Sequence, residues 1–188
     1  MSSGSYRIRS AAVLGAGTMG AQIAAHLANA GYPVHLLDVS PQIAREGLDR
    51  ARTLKPNPFF SADTAERIRT GGFDSDLARI ADADWIVEAV IEQASAKRAL
   101  LDRVDVLRRP GSIVSSNTSG LSIAGLAEGR SLEFRRHWLG THFFNPPRYL
   151  SLLEIIPTGD TDPAVTAAVS GFAELRLGKN IVMAKDTP

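Results

Sequence analysis

Apolar and polar positions along this chain repeat with two periods. Short apolar runs recur between longer stretches whose apolar residues lie three and four apart. Ala11-Ala12-Val13-Leu14, closed by Gly15, reads as a buried strand. From Gly20 to Ala30 the residues Ile23, Ala24, Leu27 and Ala28 share one helical stripe, and Gly31 stops it. Pro33 to Asp38 predicts a second strand and Trp85 to Val90 a third. A helix follows over Ala94 to Leu107, then a Pro110-Gly111 turn and a strand over Ser112 to Ser116. Strand, helix, strand in this order means parallel strands joined by crossover helices, because a tight turn cannot connect parallel neighbours. The pattern therefore predicts the α/β class, with a mainly parallel sheet and helices on both faces.

Two regions break this rhythm. Pro41 to Asp76 is long for a crossover and contains Pro56, Pro58, Gly71 and Gly72. It predicts two short helices, about Ile43–Leu54 and Ala62–Arg69, as a projecting helical excursion from the sheet at about 41–76. Between Leu139 and Ile156, two apolar runs are joined by Asn145-Pro146-Pro147-Arg148. No helix fits there, so the runs should form an antiparallel hairpin near the C-terminal end. After Pro163 a helix should reach about Leu175, with a last strand over Asn180 to Ala184.

Composition narrows what such a sheet could do. At 188 residues and 44% hydrophobic the chain can bury one substantial core. We divide it into an N-terminal arm, 1–7, and one domain, 8–188. A net charge of +1 without a basic block argues against nucleic-acid binding. The absence of cysteine removes disulfides, thiolate metal sites and a cysteine nucleophile, and four histidines are too few to suggest a histidine-rich metal site. No apolar run reaches the ~20 residues that span a bilayer, and Met1–Ser10 lacks the apolar centre of a secretory signal. A cytoplasmic location is expected.

The chemistry begins at Gly15-Ala16-Gly17-Thr18-Met19-Gly20, a G-x-G-x-x-G that follows a strand and opens a helix. Gly15 permits the tight turn, Gly17 lets the backbone approach a pyrophosphate, and Gly20 lets helix and strand lie close. The first-turn N–H groups and the positive end of the helix dipole would receive the phosphate charge. Asp38 ends the next strand at about the ~20-residue offset expected of the acid that accepts from the ribose hydroxyls. Its charge opposes a 2′-phosphate, so NAD is favoured over NADP. Together these residues predict a Rossmann-type dinucleotide fold. The competing reading of Asp38 is a cap on the following helix.

Among the histidines, His26 reads as structural or exposed, His35 as packed and His137 as solvated. His142 is the candidate base for an alcohol proton. Residues 142 and 154 are equidistant from Arg148, so a symmetric hairpin brings His142 opposite Glu154 with Cβ atoms ~5 Å apart. Glu154 is the one charge in Leu152-Leu153-Glu154-Ile155-Ile156 and needs a partner there. Either a catalytic pair or an ordinary salt bridge satisfies this. Ser115-Ser116-Asn117-Thr118-Ser119-Gly120 ends a strand at the sheet edge where α/β folds bind ligands, and part of it could instead cap the next helix.

Six segments, in order, resemble the 3-hydroxyacyl-CoA dehydrogenases: 15–20, Val-Glu-Ala-Val-Ile-Glu (87–92), Ser-Asn-Thr-Ser-Gly (116–120), His-Phe-Phe-Asn-Pro-Pro (142–147), Leu-Leu-Glu-Ile-Ile (152–156) and Lys-Asp-Thr-Pro (185–188). The resemblance covers nearly the whole chain from Ile8, and its details look most like the large multifunctional fatty-acid oxidation proteins of bacteria. It implies oxidation of 3-hydroxyacyl-CoA with NAD as cofactor. His142 would be the base and Glu154 its partner, with Ser119 and Asn117 at the substrate hydroxyl. Ala89, Val90, Glu92, Lys97 and Asn145, together with Asn117 and Ser119, would join the glycine loop at the cofactor. Arg52 and Lys55 are candidates for the CoA. The resemblance further implies a helical second domain beginning after Pro188 and a full-length protein that is a homo-oligomer or a multifunctional enzyme. A related dehydrogenase of a free hydroxy acid and an NAD-binding module without turnover are the alternatives. Phe143-Phe144 favours the acyl-CoA branch.

Overall fold

A computed structural model describes residues 6–187. Most of the N-terminal arm, residues 1–5, and Pro188 lie outside it. The strands are β1 (Ala11–Leu14), β2 (Val34–Asp38), β3 (Ile68–Gly72), β4 (Trp85–Glu88), β5 (Ile113–Ser116), β6 (Trp138–Phe143), β7 (Leu152–Pro157) and β8 (Asn180–Met183). They form one sheet in the order β3-β2-β1-β4-β5-β6-β7-β8, with every neighbouring pair parallel except β6 and β7. The helices are α1 (Thr18–Asn29), α2 (Pro41–Thr53), α3 (Phe73–Asp76), α4 (Ala94–Leu107), α5 (Ile123–Ala127), α6 (Leu132–Arg136) and α7 (Pro163–Leu177).

Central strands are apolar without alternation because both faces are covered. Every residue of β1 and β4 is buried. Successive side chains go to opposite sides. Val13, Leu36, Trp85, Phe143 and Leu153 pack against Ile23 and Leu27 of α1, Leu48 of α2 and Val165 and Val169 of α7. Ala12, Leu14, Leu37, Ile86 and Trp138 pack against Leu101 and Val104 of α4, Leu126 of α5 and Phe134 of α6.

The 41–76 segment needs correcting. It does not project as a whole: α2 buries Ala44, Gly47, Leu48 and Ala51, and a Cβ on Gly47 would lie 2.2 Å from the Ala16 carbonyl oxygen. The segment then rejoins the sheet. Residues 62–67 form a 3-10 turn rather than an α-helix, and Ile68–Gly72 is the edge strand, paired residue by residue with Val34–Asp38. Gly71 and Gly72, which look like breakers, are the close approach that lets β3 fit. A Cβ on either would come within 2.7 Å of Asp76 or Pro41.

His137 is not freely solvated. Its Nε2 lies 2.8 Å from the Tyr6 hydroxyl and its Nδ1 2.8 Å from the Glu133 carbonyl, which pins the described end of the arm. His26 is structural: it is buried, and its Nε2–H donates to the Leu177 carbonyl at 3.1 Å, tying α1 to α7. Burial above all, with Lys179 and Arg148 adding like charge, lowers its pKa from 6.5 to about 4. A depressed histidine keeps the folded state neutral, so the stability it contributes is present above pH 6.5 and lost as pH falls toward 4. His26→Gln retains a donor and removes the titration. Melting curves across that window should decline less steeply for the variant than for the parent; equal slopes would show that His26 is not responsible.

Candidate dinucleotide and acid–base site

The loop between β1 and α1 is shaped by steric demand at two glycines. Gly15 has φ +105° and a Cβ there would sit 2.6 Å from the Ala89 carbonyl oxygen; a Cβ on Gly20 would sit 1.9 Å from the Gly15 oxygen. At Gly17 nothing lies within 4 Å of a built Cβ, so that backbone faces open space. Gly17 is also the N-cap of α1, and no side chain caps it, nor does an acidic residue occupy the first turn. By contrast Ser40, Ser122, Ser131 and Asp162 cap α2, α5, α6 and α7 with their side chains. The uncapped N–H groups of Thr18, Met19 and Gly20 thus leave the positive end of a twelve-residue helix available to an anion.

Asp38 is half-buried beside this loop. Its Oδ2 accepts from Ala16 N at 2.6 Å and its Oδ1 from Val39 N at 2.7 Å. The helix-capping role belongs to Ser40, whose Oγ accepts from Ile43 N. A cleft of about 380 Å³ runs along the carboxyl edge, lined by Gly15, Gly17, Asp38, Phe73, Ala89 and Leu100 among others. Open backbone, uncapped helix, apolar wall and terminal carboxylate together fit a dinucleotide such as NAD.

The hairpin register pairs His142 with Glu154, and their side chains meet, with Nδ1 2.8 Å from Oε2. With Nδ1–H donating to the carboxylate, Nε2 is the ring atom left to exchange a proton. Both side chains are partly exposed, at 21% and 32%. Of the two phenylalanines, Phe143 points into the core beside Trp85, while Phe144 lies against the imidazole with centroids 4.6 Å apart. Asn117 joins this group: its Oδ1 accepts from Phe143 N at 2.8 Å.

Ser119 is exposed, and its backbone N–H donates to Glu92 Oε1 at 3.0 Å. Burial would raise the Glu92 carboxyl, but the Thr118 hydroxyl and Lys97 outweigh it and hold the group below the usual range. The ammonium of Lys97 is 1% exposed and faces Glu88, Glu92 and the Val90 carbonyl rather than the open cleft. Asn145 is exposed and its Oδ1 accepts from Gln22 Nε2 at 3.0 Å. Arg52 pairs with Asp49 at 2.9 Å and lines a separate surface pocket with Asn57, Phe59 and Phe60; Lys55 is exposed nearby. No described hydrogen bond links Arg52 or Lys55 to His142 or to the cleft.

Sequence reasoning missed several residues that build this site. Gln22 anchors Asn145. Arg148 Nη1 donates to the Asn57 and Phe59 carbonyls, fastening the hairpin turn to the 54–61 segment. Lys179, with its pKa lowered by burial to about 8, donates to the Pro147 and Leu150 carbonyls. Ser115 and Ser116 are internal: Ser115 Oγ accepts from Trp85 Nε1 and Thr141 Oγ1, and Ser116 donates to Glu88. Among the described residues no group of three or more His, Asp or Glu could hold a metal, and no helix is long and apolar enough to cross a membrane.

Residues 10–187 match the family model described as 3-hydroxyacyl-CoA dehydrogenase, NAD binding domain. This chain belongs to that family. It is 48% identical over 189 residues to a probable 3-hydroxyacyl-CoA dehydrogenase of Deinococcus radiodurans, covering 97% of this chain and 55% of the relative. A protein of the same description from Bacillus subtilis is 46% identical over 202 residues, covering 96% and 26%. The crystal structure of 3-hydroxybutyryl-CoA dehydrogenase from Escherichia coli K12 superposes with a TM-score of 0.85 at 29% identity, covering 97% of this chain and 39% of that one. This member of the 3-hydroxyacyl-CoA dehydrogenase family thus spans between 26% and 55% of those two curated relatives. It is an NAD-binding domain of an oxidoreductase family whose relatives include fatty-acid oxidation enzymes. One is described as a putative fatty acid oxidation complex trifunctional enzyme of Rickettsia felis, 35% identical over 188 residues, with 96% of this chain and 26% of the relative covered.

Proposed function

We propose that this chain carries the cofactor cradle and the acid–base pair for oxidation of (S)-3-hydroxyacyl-CoA to 3-ketoacyl-CoA in fatty-acid β-oxidation. The observation that carries the reading is the 2.8 Å contact between His142 Nδ1 and Glu154 Oε2, at the same carboxyl edge as the dinucleotide cleft. NAD, when bound, accepts the hydride. His142 Nε2 takes the hydroxyl proton, and in the reverse direction returns it. Glu154 fixes the ring tautomer and stabilises the imidazolium, as the acid of a hydrolase triad does. Asn117 and Ser119 orient the hydroxyl oxygen. Glu92 and Asn145 border the cofactor, with Lys97 supporting Glu92. Arg52 and Lys55 are the basic groups offered to the CoA phosphates. The full-length protein is read as a homo-oligomer or a multifunctional β-oxidation enzyme. With the chain fused to the remainder of its Deinococcus radiodurans relative, incubation with NAD and the (S) enantiomer of 3-hydroxybutyryl-CoA should release NADH and acetoacetyl-CoA; NADH release from the (R) enantiomer alone would overturn the assignment.

Cofactor choice gives a separate test. Asp38 opposes a 2′-phosphate, so NAD should bind more tightly than NADP. Asp38→Ala should weaken NAD binding by roughly 1.5–3 kcal/mol, the scale of hydrogen bonds to a charged group. Calorimetry showing equal affinity of the parent for both cofactors would remove Asp38 from this role.

A further inference from the structure

We infer that Glu88 is a positioning residue: a buried carboxylate that sets the 89–93 loop, whose first residues line the NAD cleft, together with the neighbouring 117–120 loop. It is the last residue of β4 and is fully buried, as is its partner Lys97. Glu88 Oε1 accepts from Lys97 Nζ at 2.8 Å and from Val90 N at 2.7 Å, while Oε2 accepts from the Ser116 hydroxyl at 2.5 Å. Val90 lines the cleft, and Ser116 ends β5 immediately before Asn117. The Glu88 backbone carbonyl also accepts from Asn117 N at 2.8 Å. One residue therefore holds the start of the 89–93 loop and the start of the 117–120 loop.

The arrangement continues through Lys97. Its Nζ also donates to the Val90 carbonyl at 3.2 Å and lies 3.3 Å from Glu92 Oε2. Glu92 Oε1 in turn accepts from the Thr118 hydroxyl, Ser119 N at 3.0 Å and Gly120 N at 3.2 Å. Glu88, Lys97 and Glu92 thus form a −, +, − series from the sheet interior to the rim. Stability alone is a poor reason for such a pair, because apolar residues of similar volume in place of a buried ion pair are often neutral or stabilising. What an apolar pair cannot do is direct Val90 N, Ser116 Oγ and, through Glu92, the Ser119 backbone.

The inference rests on NAD binding and not on the identity of the substrate. Glu88→Gln keeps the shape but leaves a single uncharged acceptor oxygen, so the Lys97, Val90 and Ser116 bonds cannot all be kept at their parent strength. NADH fluorescence titration of this chain should show about tenfold weaker binding, the scale of one hydrogen bond to a charged group. Ser116→Ala removes one strap and should weaken binding less. Where Glu88→Gln does not fold, the double variant Glu88→Leu with Lys97→Leu supplies an apolar pair, which should melt near the parent temperature and still bind NADH about tenfold less tightly. A variant that melts lower but binds NADH with the parent affinity would overturn the inference and leave Glu88 as half of an ordinary buried ion pair.

Discussion

In the chain fused to the remainder of its Deinococcus radiodurans relative, His142→Gln should slow turnover of acetoacetyl-CoA and NADH by about 10²–10⁴, the usual worth of a general acid–base group, while NADH affinity stays close to that of the parent. The separation follows from position. His142 sits on β6 and spends Nδ1 on Glu154, whereas the proposed dinucleotide contacts lie on the β1–α1 loop and at Asp38, in a cleft whose lining residues do not include His142. Glutamine can still donate to Glu154, so the carboxylate is not left without a partner. A turnover within tenfold of the parent would remove His142 as the base. A parallel loss of NADH binding would mean that the substitution disturbs the fold instead. Glu154→Gln keeps the contact and removes the charge, so its effect should be smaller than that of His142→Gln.

Residues 1–188 alone should bind NADH yet reduce acetoacetyl-CoA very slowly. The proposed cradle of Gly15, Gly17, Gly20 and Asp38 lies within the first crossover, but the face around the proposed acid–base pair of His142 and Glu154 is open. Val182 pairs with Glu154 across β7 and β8 and is 45% exposed; Tyr149 and Leu150 in the adjoining turn are 48% and 43% exposed. A thioester held there would remain in water. Positioning and exclusion of water can supply ~7–11 kcal/mol of a barrier. Fusing the remainder of the Deinococcus radiodurans relative, of which this chain covers 55%, should therefore raise turnover by several orders of magnitude. Equal rates for the two proteins under steady-state assay would show that the site is already complete.

The central architecture was legible because its strands begin in short apolar runs that are buried on both faces. Ala11–Leu14 and Ile113–Ser116 are bounded by glycine and by turn residues, and both are strands. The hairpin register was legible for a different reason. Arg148 lies six residues from both His142 and Glu154, and a turn centred there makes them partners. β3 was not legible because Ile68-Arg69-Thr70-Gly71-Gly72 is half polar and ends in two glycines, and an edge strand needs only one covered side. Gln22, Arg148 and Lys179 were missed because their partners are 123, 89 to 91 and 29 to 32 residues away, beyond any local pattern. Glu88 was read as an ordinary strand position; a charge inside Trp-Ile-Val-Glu-Ala-Val was the available signal that it needed an internal partner.

The most direct test of the central claim is NADH consumption measured with two acceptors, acetoacetyl-CoA and free acetoacetate, using the chain fused to the remainder of its Deinococcus relative. The account predicts rapid consumption with acetoacetyl-CoA, cut about 10²–10⁴-fold by His142→Gln, and little with acetoacetate. Consumption with acetoacetate and none with acetoacetyl-CoA would contradict it and assign this NAD-binding chain to the dehydrogenation of a free hydroxy acid.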